Sequence, residues 1–236
     1  MKRGALLLLT AVLTAQSTRE VEITAEPHHH LTFVNDQVRV FNVEIAPNSE
    51  TLMHVHHHDY LYVNLGPAEV VNTVKGKDPV TVKLRDGDTN FLSAGFAHSA
   101  RNLSTQPFRD VIIELLQDDK LRHSPAHWDE DRGLEILPGG TQEILFVKDT
   151  VRVSEFELHS GGAIPSRPRL GPLLLVAVTD LDLFTNDPRT DGPPQPDPIP
   201  QHFNSGNSIW LPHGFRHPIV NAGHALAKFV TVEFPL

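Results

Sequence analysis

Apolar and polar residues alternate along most of this chain in short runs of strand length. Residues 31–34 and 37–45 read as two strands around an Asn35-Asp36 turn, 69–74 and 79–84 as a hairpin centred on Gly76, and 108–116 as a long late strand. Pro, Gly, Asn and Asp punctuate the runs and few segments carry a helical period, so the pattern predicts barrels or sandwiches of short strands. Residues 184–207 break it, from Asp187-Pro188 through Pro193-Pro194 to Pro200. Proline removes ladder donors, so this stretch is expected to be a loop over one barrel mouth, either a lid or a plain excursion.

The pattern also repeats. Residues 33–40 (Phe-Val-Asn-Asp-Gln-Val-Arg-Val) return 113 positions later as residues 146–153 (Phe-Val-Lys-Asp-Thr-Val-Arg-Val), and Glu44 meets Glu157 at the same offset. Gly87, Ser93, Gly95, His98 and Asn102 have counterparts 119 positions on, in Gly206, Pro212, Gly214, His217 and Asn221. Two copies of one unit are therefore expected, each a small jelly-roll barrel. The divisions read as a leader at 1–17, an N-terminal domain at 18–120, a connector at 121–142 and a C-terminal domain at 143–236. Trp128 is expected to pack the connector against a barrel.

Candidate chemistry lies in Thr51-Leu52-Met53-His54-Val55-His56-His57-His58-Asp59-Tyr60. On a strand, His54 and His56 share a face and can grip one ion from one side of a sheet. His98 supplies a third imidazole from a later segment, a ligand type that suits iron, manganese, nickel, copper or zinc. The plainer alternative is an adventitious surface cluster of His56, His57 and His58.

These residues resemble the cupin superfamily. Its second motif, G-x5-P-x-G-x2-H-x3-N, is met at every spacing by Gly87, Ser93 in the proline place, Gly95, His98 and Asn102. Its first, G-x5-H-x-H-x(3,4)-E-x6-G, is met by Asn48 in the glycine place, then His54 and His56. Asn tolerates the left-handed turn that the opening position needs. The motif's glutamate is missing, its two permitted places holding Tyr60 and Leu61. Three histidines plus water rank first as the ligand set, with Tyr60 or His58 next as a fourth ligand by strand parity. Asp59 comes third, since only a bulge would turn it inward. Three-histidine centres occur among cupin-type dioxygenases and lyases, so the resemblance implies an all-β bicupin, two tandem jelly-roll (cupin) barrels, with metal in the first.

In the second half the metal pair aligns with Arg167 and Arg169, leaving His217 alone. A guanidinium offers no lone pair, so metal loss there is expected. The three residues are candidates to bind a carboxylate; the preferred reading pairs them with acidic neighbours in a degenerate barrel that serves packing or a homodimer interface.

The N-terminus carries Lys2 and Arg3, an apolar stretch over residues 4–13, and Ala15-Gln16-Ser17. This is the layout of an export signal, too short to span a membrane; a buried N-terminal helix is the alternative. A periplasmic or secreted protein is expected, compatible with the absence of cysteine. The net charge of −9, without a basic run beyond residue 3, argues against nucleic acid or an anionic membrane as partner. No nucleophile elbow or phosphate loop is present.

Of the remaining histidines, His28, His29 and His30 read as a polar lead-in to the first strand. His123, His127, His202 and His224 read as solvated, and His159 and His213 have no evident partner. Tyr60 and His58 are the candidates for general acid or base, and Phe91, Phe96 and Met53 for an apolar mouth. The leading functional expectation is a dioxygenase-like oxidoreductase acting on a small organic molecule. A non-redox lyase or isomerase comes next, and the rival of another class is a non-catalytic protein that binds metal or a small ligand.

Overall fold

A computed structural model describes residues 20–125, 128, 132–166, 171–184, 200–215 and 218–235. The first half contains β1 (Val21–Glu22), β2 (His29–Val34), β3 (Val38–Ile45), β4 (His54–His56), β5 (Tyr60–Asn64), β6 (Ala68–Val74), β7 (Val80–Leu84), β8 (Thr89–Leu92), β9 (Phe96–Asn102) and β10 (Phe108–Leu115). These form two five-stranded sheets, β1-β4-β9-β6-β7 and β2-β3-β10-β5-β8. Their facing sides enclose Phe41, Val43, Ile45, Val70, Phe108 and Ile112. A 3-10 turn, Ile23–Ala25, joins β1 to β2.

A short helix, α1 (Asp118–Arg122), leads toward the second half. There follow β11 (Gly133–Leu137), β12 (Gly140–Lys148), β13 (Val151–Leu158), β14 (Ala163–Ile164), β15 (Leu173–Ala177), β16 (Leu181–Phe184), β17 (Gln201–Phe203), β18 (Ser208–Leu211), β19 (Ile219–Asn221) and β20 (Ala227–Glu233). The sheets are β11-β12-β13-β20-β15-β18 and β14-β19-β16-β17. The connector is shorter than the sequence implied. Residues 133–142 fall within the expected 121–142, yet β11 pairs with β12 over Gly133–Leu137 as part of the second barrel. Trp128 meets that barrel, donating its indole N–H to the Thr150 carbonyl at 2.8 Å beneath the Arg152 guanidinium.

The repeat is visible bond by bond. Asn102 donates its side-chain amide to the carbonyls of Ile45 and Gln106, at 3.0 and 2.8 Å, and accepts from the Ser104 N–H at 2.8 Å. Asn221 does the same with Leu158, Ala225 and Gly223, at 2.8, 2.8 and 2.9 Å. Arg39 pairs with Glu114 across β3 and β10 at 2.7 Å, and Arg152 with Glu233 across β13 and β20 at 2.7 Å. Asn48 and Gly161, the matched turn positions, both take positive φ, 59° and 74°, the left-handed conformation that Gly and Asn accept most readily.

The barrels pack through the outer faces of the sheets containing β3-β10-β5 and β13-β20-β15. Val40, Leu61, Val111 and Ile113 meet Val153, Leu174, Val176 and Val230 in one core. Among the described residues no helix is long and apolar enough to cross a membrane. The leader at 1–17 and most of the Pro-rich loop lie outside the described residues.

Candidate metal centre

β4 and β9 run antiparallel with His54 directly opposite His98. Opposed residues of such a pair share a face, and His56 follows His54 by two, so all three imidazoles enter the first barrel. His54 and His56 are buried and His98 half-buried. Ring centroids lie 4.5 Å apart for His54–His98 and 5.2 Å for both pairs involving His56. One nitrogen from each ring lies within 4.8 Å of the others.

The outer nitrogens face acceptors. His54 donates Nδ1–H to the Leu52 carbonyl at 2.8 Å. His98 donates Nδ1–H to Asn72 Oδ1 at 2.8 Å. His56 Nδ1 stands 3.5 Å from Glu114 Oε1, too long for a good hydrogen bond but close enough for attraction. A backbone carbonyl can only accept, so the His54 tautomer is fixed and its Nε2 holds a lone pair. That atom is buried without a partner. The Nε2 atoms of His56 and His98 lie 3.2 Å apart. Two ligands on one ion at metal–nitrogen bonds of about 2.1 Å sit roughly 3.0 Å apart at a right angle and about 3.4 Å apart at a tetrahedral one. The residues therefore fit a divalent transition metal, with the backing acceptors that metal-bound histidines require.

Electrostatics agree. Burial pushes His54 down to about 4, with the His29 ring adding to the effect. Burial lowers His56, against the pull of Glu114, and burial together with the neighbouring imidazoles holds His98 well below the ordinary histidine range. All three are neutral at neutral pH, the form a metal binds. Burial works to raise Glu114, but His56 and Arg39 outweigh it and leave the carboxyl lowered.

The expected fourth ligands fare differently. Tyr60 points inward and stacks on His56, with centroids 3.9 Å apart and planes 13° from parallel. Burial, then the nearby Asp110, raises its phenol, so it stays protonated. His58 is turned away toward α1, its Nδ1 3.7 Å from Asp118. Strand parity misplaced it because β4 ends at His56 and β5 begins at Tyr60, leaving residues 57–59 as a turn. Asp59 is buried but accepts the Ala94 N–H at 2.7 Å, tying down that turn. Phe96 borders the cluster, 5.6 Å from His98. Phe91 does not line the mouth: it packs outward against the core between the barrels.

Three contributors were missed from sequence. His29 is no polar lead-in, for its ring lies 4.6 Å from His54. Behind it, Glu26 is 2% exposed. Glu114 shares the inward phase of β10 with Phe108, Asp110 and Ile112, a pair of carboxylates among apolar residues that the sequence does display. Elsewhere His202 pairs with Asp182 at 2.8 Å. Arg167, Arg169 and His217 lie outside the described residues.

No protein-family model matches the chain, and no curated protein sequence does. Solved structures do match. AerE from Microcystis aeruginosa superposes with a TM-score of 0.58 at 15% identity, covering 88% of this chain and 97% of its own. An oxalate decarboxylase–formate complex from Lactobacillus farciminis gives 0.55 at 13%, over 92% and 86%. A salicylate 1,2-dioxygenase from Pseudaminobacter salicylatoxidans gives 0.56 at 12%, over 85% and 72%. The fold is that of a bicupin. Among the described residues of this bicupin, the one group of side chains able to hold a metal lies in the N-terminal barrel.

Proposed function

We propose that the N-terminal barrel of this bicupin is a catalytic centre. In this reading a divalent transition metal on His54, His56 and His98 acts on a small organic molecule in dioxygenase-like oxidoreduction. The observation that carries the proposal is the convergence of three neutral imidazoles whose outer nitrogens all face acceptors. When bound, such a metal supplies Lewis acidity and open positions for substrate and dioxygen. Three neutral ligands leave its charge uncompensated, which favours an anionic substrate such as a small carboxylate. Tyr60 fixes the plane of the His56 ring and offers a phenolic proton as a hydrogen-bond donor. Phe96 and Tyr60 form an apolar flank that keeps water from the reacting face. The charged and apolar leader supports export to the periplasm or medium, which N-terminal sequencing of the protein recovered outside the cytoplasm would check for cleavage after Ala15 or Ser17.

The test is metal content of protein purified without a histidine tag or chelating resin, compared with His98→Ala, followed by an oxygen-uptake screen of small organic acids. One equivalent of iron, manganese, copper or nickel that the variant loses, with oxygen consumed, supports the reading. Zinc with no oxygen uptake would redirect it to lyase or isomerase chemistry. Metal indifferent to His98 would end it.

A further inference from the structure

We propose that His29 is a fourth imidazole of the metal centre, carried in on β2 and braced by Glu26. The proposal rests on the reading that His54, His56 and His98 hold an ion. His29 lies directly opposite Val43 across β2 and β3. Val43 belongs to the interior of the barrel, so the imidazole points inward with it. Its ring stands as near to His54, at 4.6 Å, as the His98 ring does at 4.5 Å, and 6.4 Å from His56.

Its Nδ1, like that of each of the other three, faces an acceptor. Nδ1 lies 2.6 Å from Glu26 Oε2. Glu26 also accepts the backbone N–H groups of His28 and Leu52, at 2.8 and 3.1 Å, and the His28 ring at 2.9 Å. Burial would raise this carboxyl, but those hydrogen bonds hold it at about 2. It is a carboxylate and can only accept, so His29 Nδ1 donates to it, which leaves Nε2 as the ring nitrogen that could turn to an ion. A carboxylate behind an imidazole fixes its tautomer and raises its basicity as a ligand. Glu26 grips the backbone of Leu52, two residues before His54, so one side chain braces both β2 and β4.

His29 stands one step back, its nitrogens outside the 4.8 Å group of the other three. Closing on an ion requires a small inward movement of the ring or strand. β2 is an edge strand with a register irregularity between Leu31 and Phe33, and such a strand yields more easily than a central one. The competing reading is a core histidine satisfied by Glu26 alone.

Cobalt(II) separates the two. The full chain is loaded with cobalt(II), imidazole ligands are counted by X-ray absorption, and the Kd is taken by chelator competition for wild type, His29→Phe and His28→Phe. The expected result is four imidazoles in wild type and three in His29→Phe, with affinity weaker by about tenfold or more, and no change in His28→Phe. Circular dichroism controls for folding, and His29→Gln replaces the Phe variant if that one fails to fold. Three imidazoles in wild type, or an unchanged count and Kd in the His29 variant, would overturn the proposal while leaving the three-histidine centre standing. A wild-type protein that takes up no cobalt would overturn both.

Discussion

Asp110 shares the inward face of β10 with Glu114 and sits opposite Asn64 of β5. Its Oδ1 is buried without a hydrogen-bond partner. Burial raises its carboxyl to about 8, so the folded protein keeps a proton there that the unfolded chain releases near pH 4. With the folded value above the unfolded one, the site is neutral to stability below about pH 4, costs progressively more up to pH 8, and is constant beyond. Asp110→Asn removes the titration. Its stability should equal or trail wild type at pH 4 and exceed it by roughly 2–4 kcal/mol at pH 8, a figure below the full shift because buried sites relax. Urea midpoints across that range would show it, and a pH-independent difference would reject the buried-acid account. The sequence marked Asp110 only as one polar residue in a strand; its isolation depends on neighbours brought by other strands.

At the scale of elements, the N-terminal arm decides how the site is framed. β1 pairs in parallel with β4, Val21 beside His54, and Glu26 ties the arm to β2 and to Leu52. The folded carboxyl, at about 2, lies below the ordinary 4.5. Its contribution is therefore full above about pH 4.5 and lost as pH falls toward 2. Glu26→Gln should cost about 1–3 kcal/mol at pH 7 and match wild type more closely near pH 2, read from denaturant melts at both pH values. An equal loss at both would mean that shape, not charge, holds the arm. The same arm shows what strand reading reaches. The i, i+2 rule placed His54 and His56 because both lie within β4, whereas Tyr60 faces inward by the phase of β5, a strand of the other sheet. The rule failed for His58, where the strand had ended. It could not choose among His28, His29 and His30, because the phase of β2 is set by its pairing with β3. The inward Phe41 and Val43 of β3 held that information, but only once the partner register was known.

For the whole molecule, the repeat was legible because both halves keep the same turn residues and the same Asn and Arg–Glu ties. The packing between halves was less so, since strands buried on both faces lose the alternation that gives direction. β15 is buried at all five positions, Leu174 facing the first barrel and Leu173 and Leu175 the interior of the second. That shared core implies that the barrels unfold together, although the histidine cluster belongs to one. Leu174 is 0% exposed, and Leu174→Ala, a truncation leaving a cavity, should cost about 2–4 kcal/mol. Two signals report the halves separately. Trp210 of β18 lies 6.2 Å from Phe33 and 5.5 Å from Phe234 and Trp128 donates to Thr150, so indole fluorescence follows the second barrel and its interface, while cobalt(II) absorbance follows the N-terminal site. In wild type both should change at one denaturant concentration, and in Leu174→Ala both midpoints should fall together. If the fluorescence midpoint dropped while the cobalt signal kept its wild-type value, the second barrel would be an independent passenger. Coincident shifts would instead make it part of what holds β5 and β10, and through them Tyr60 and Glu114, in place around the histidines.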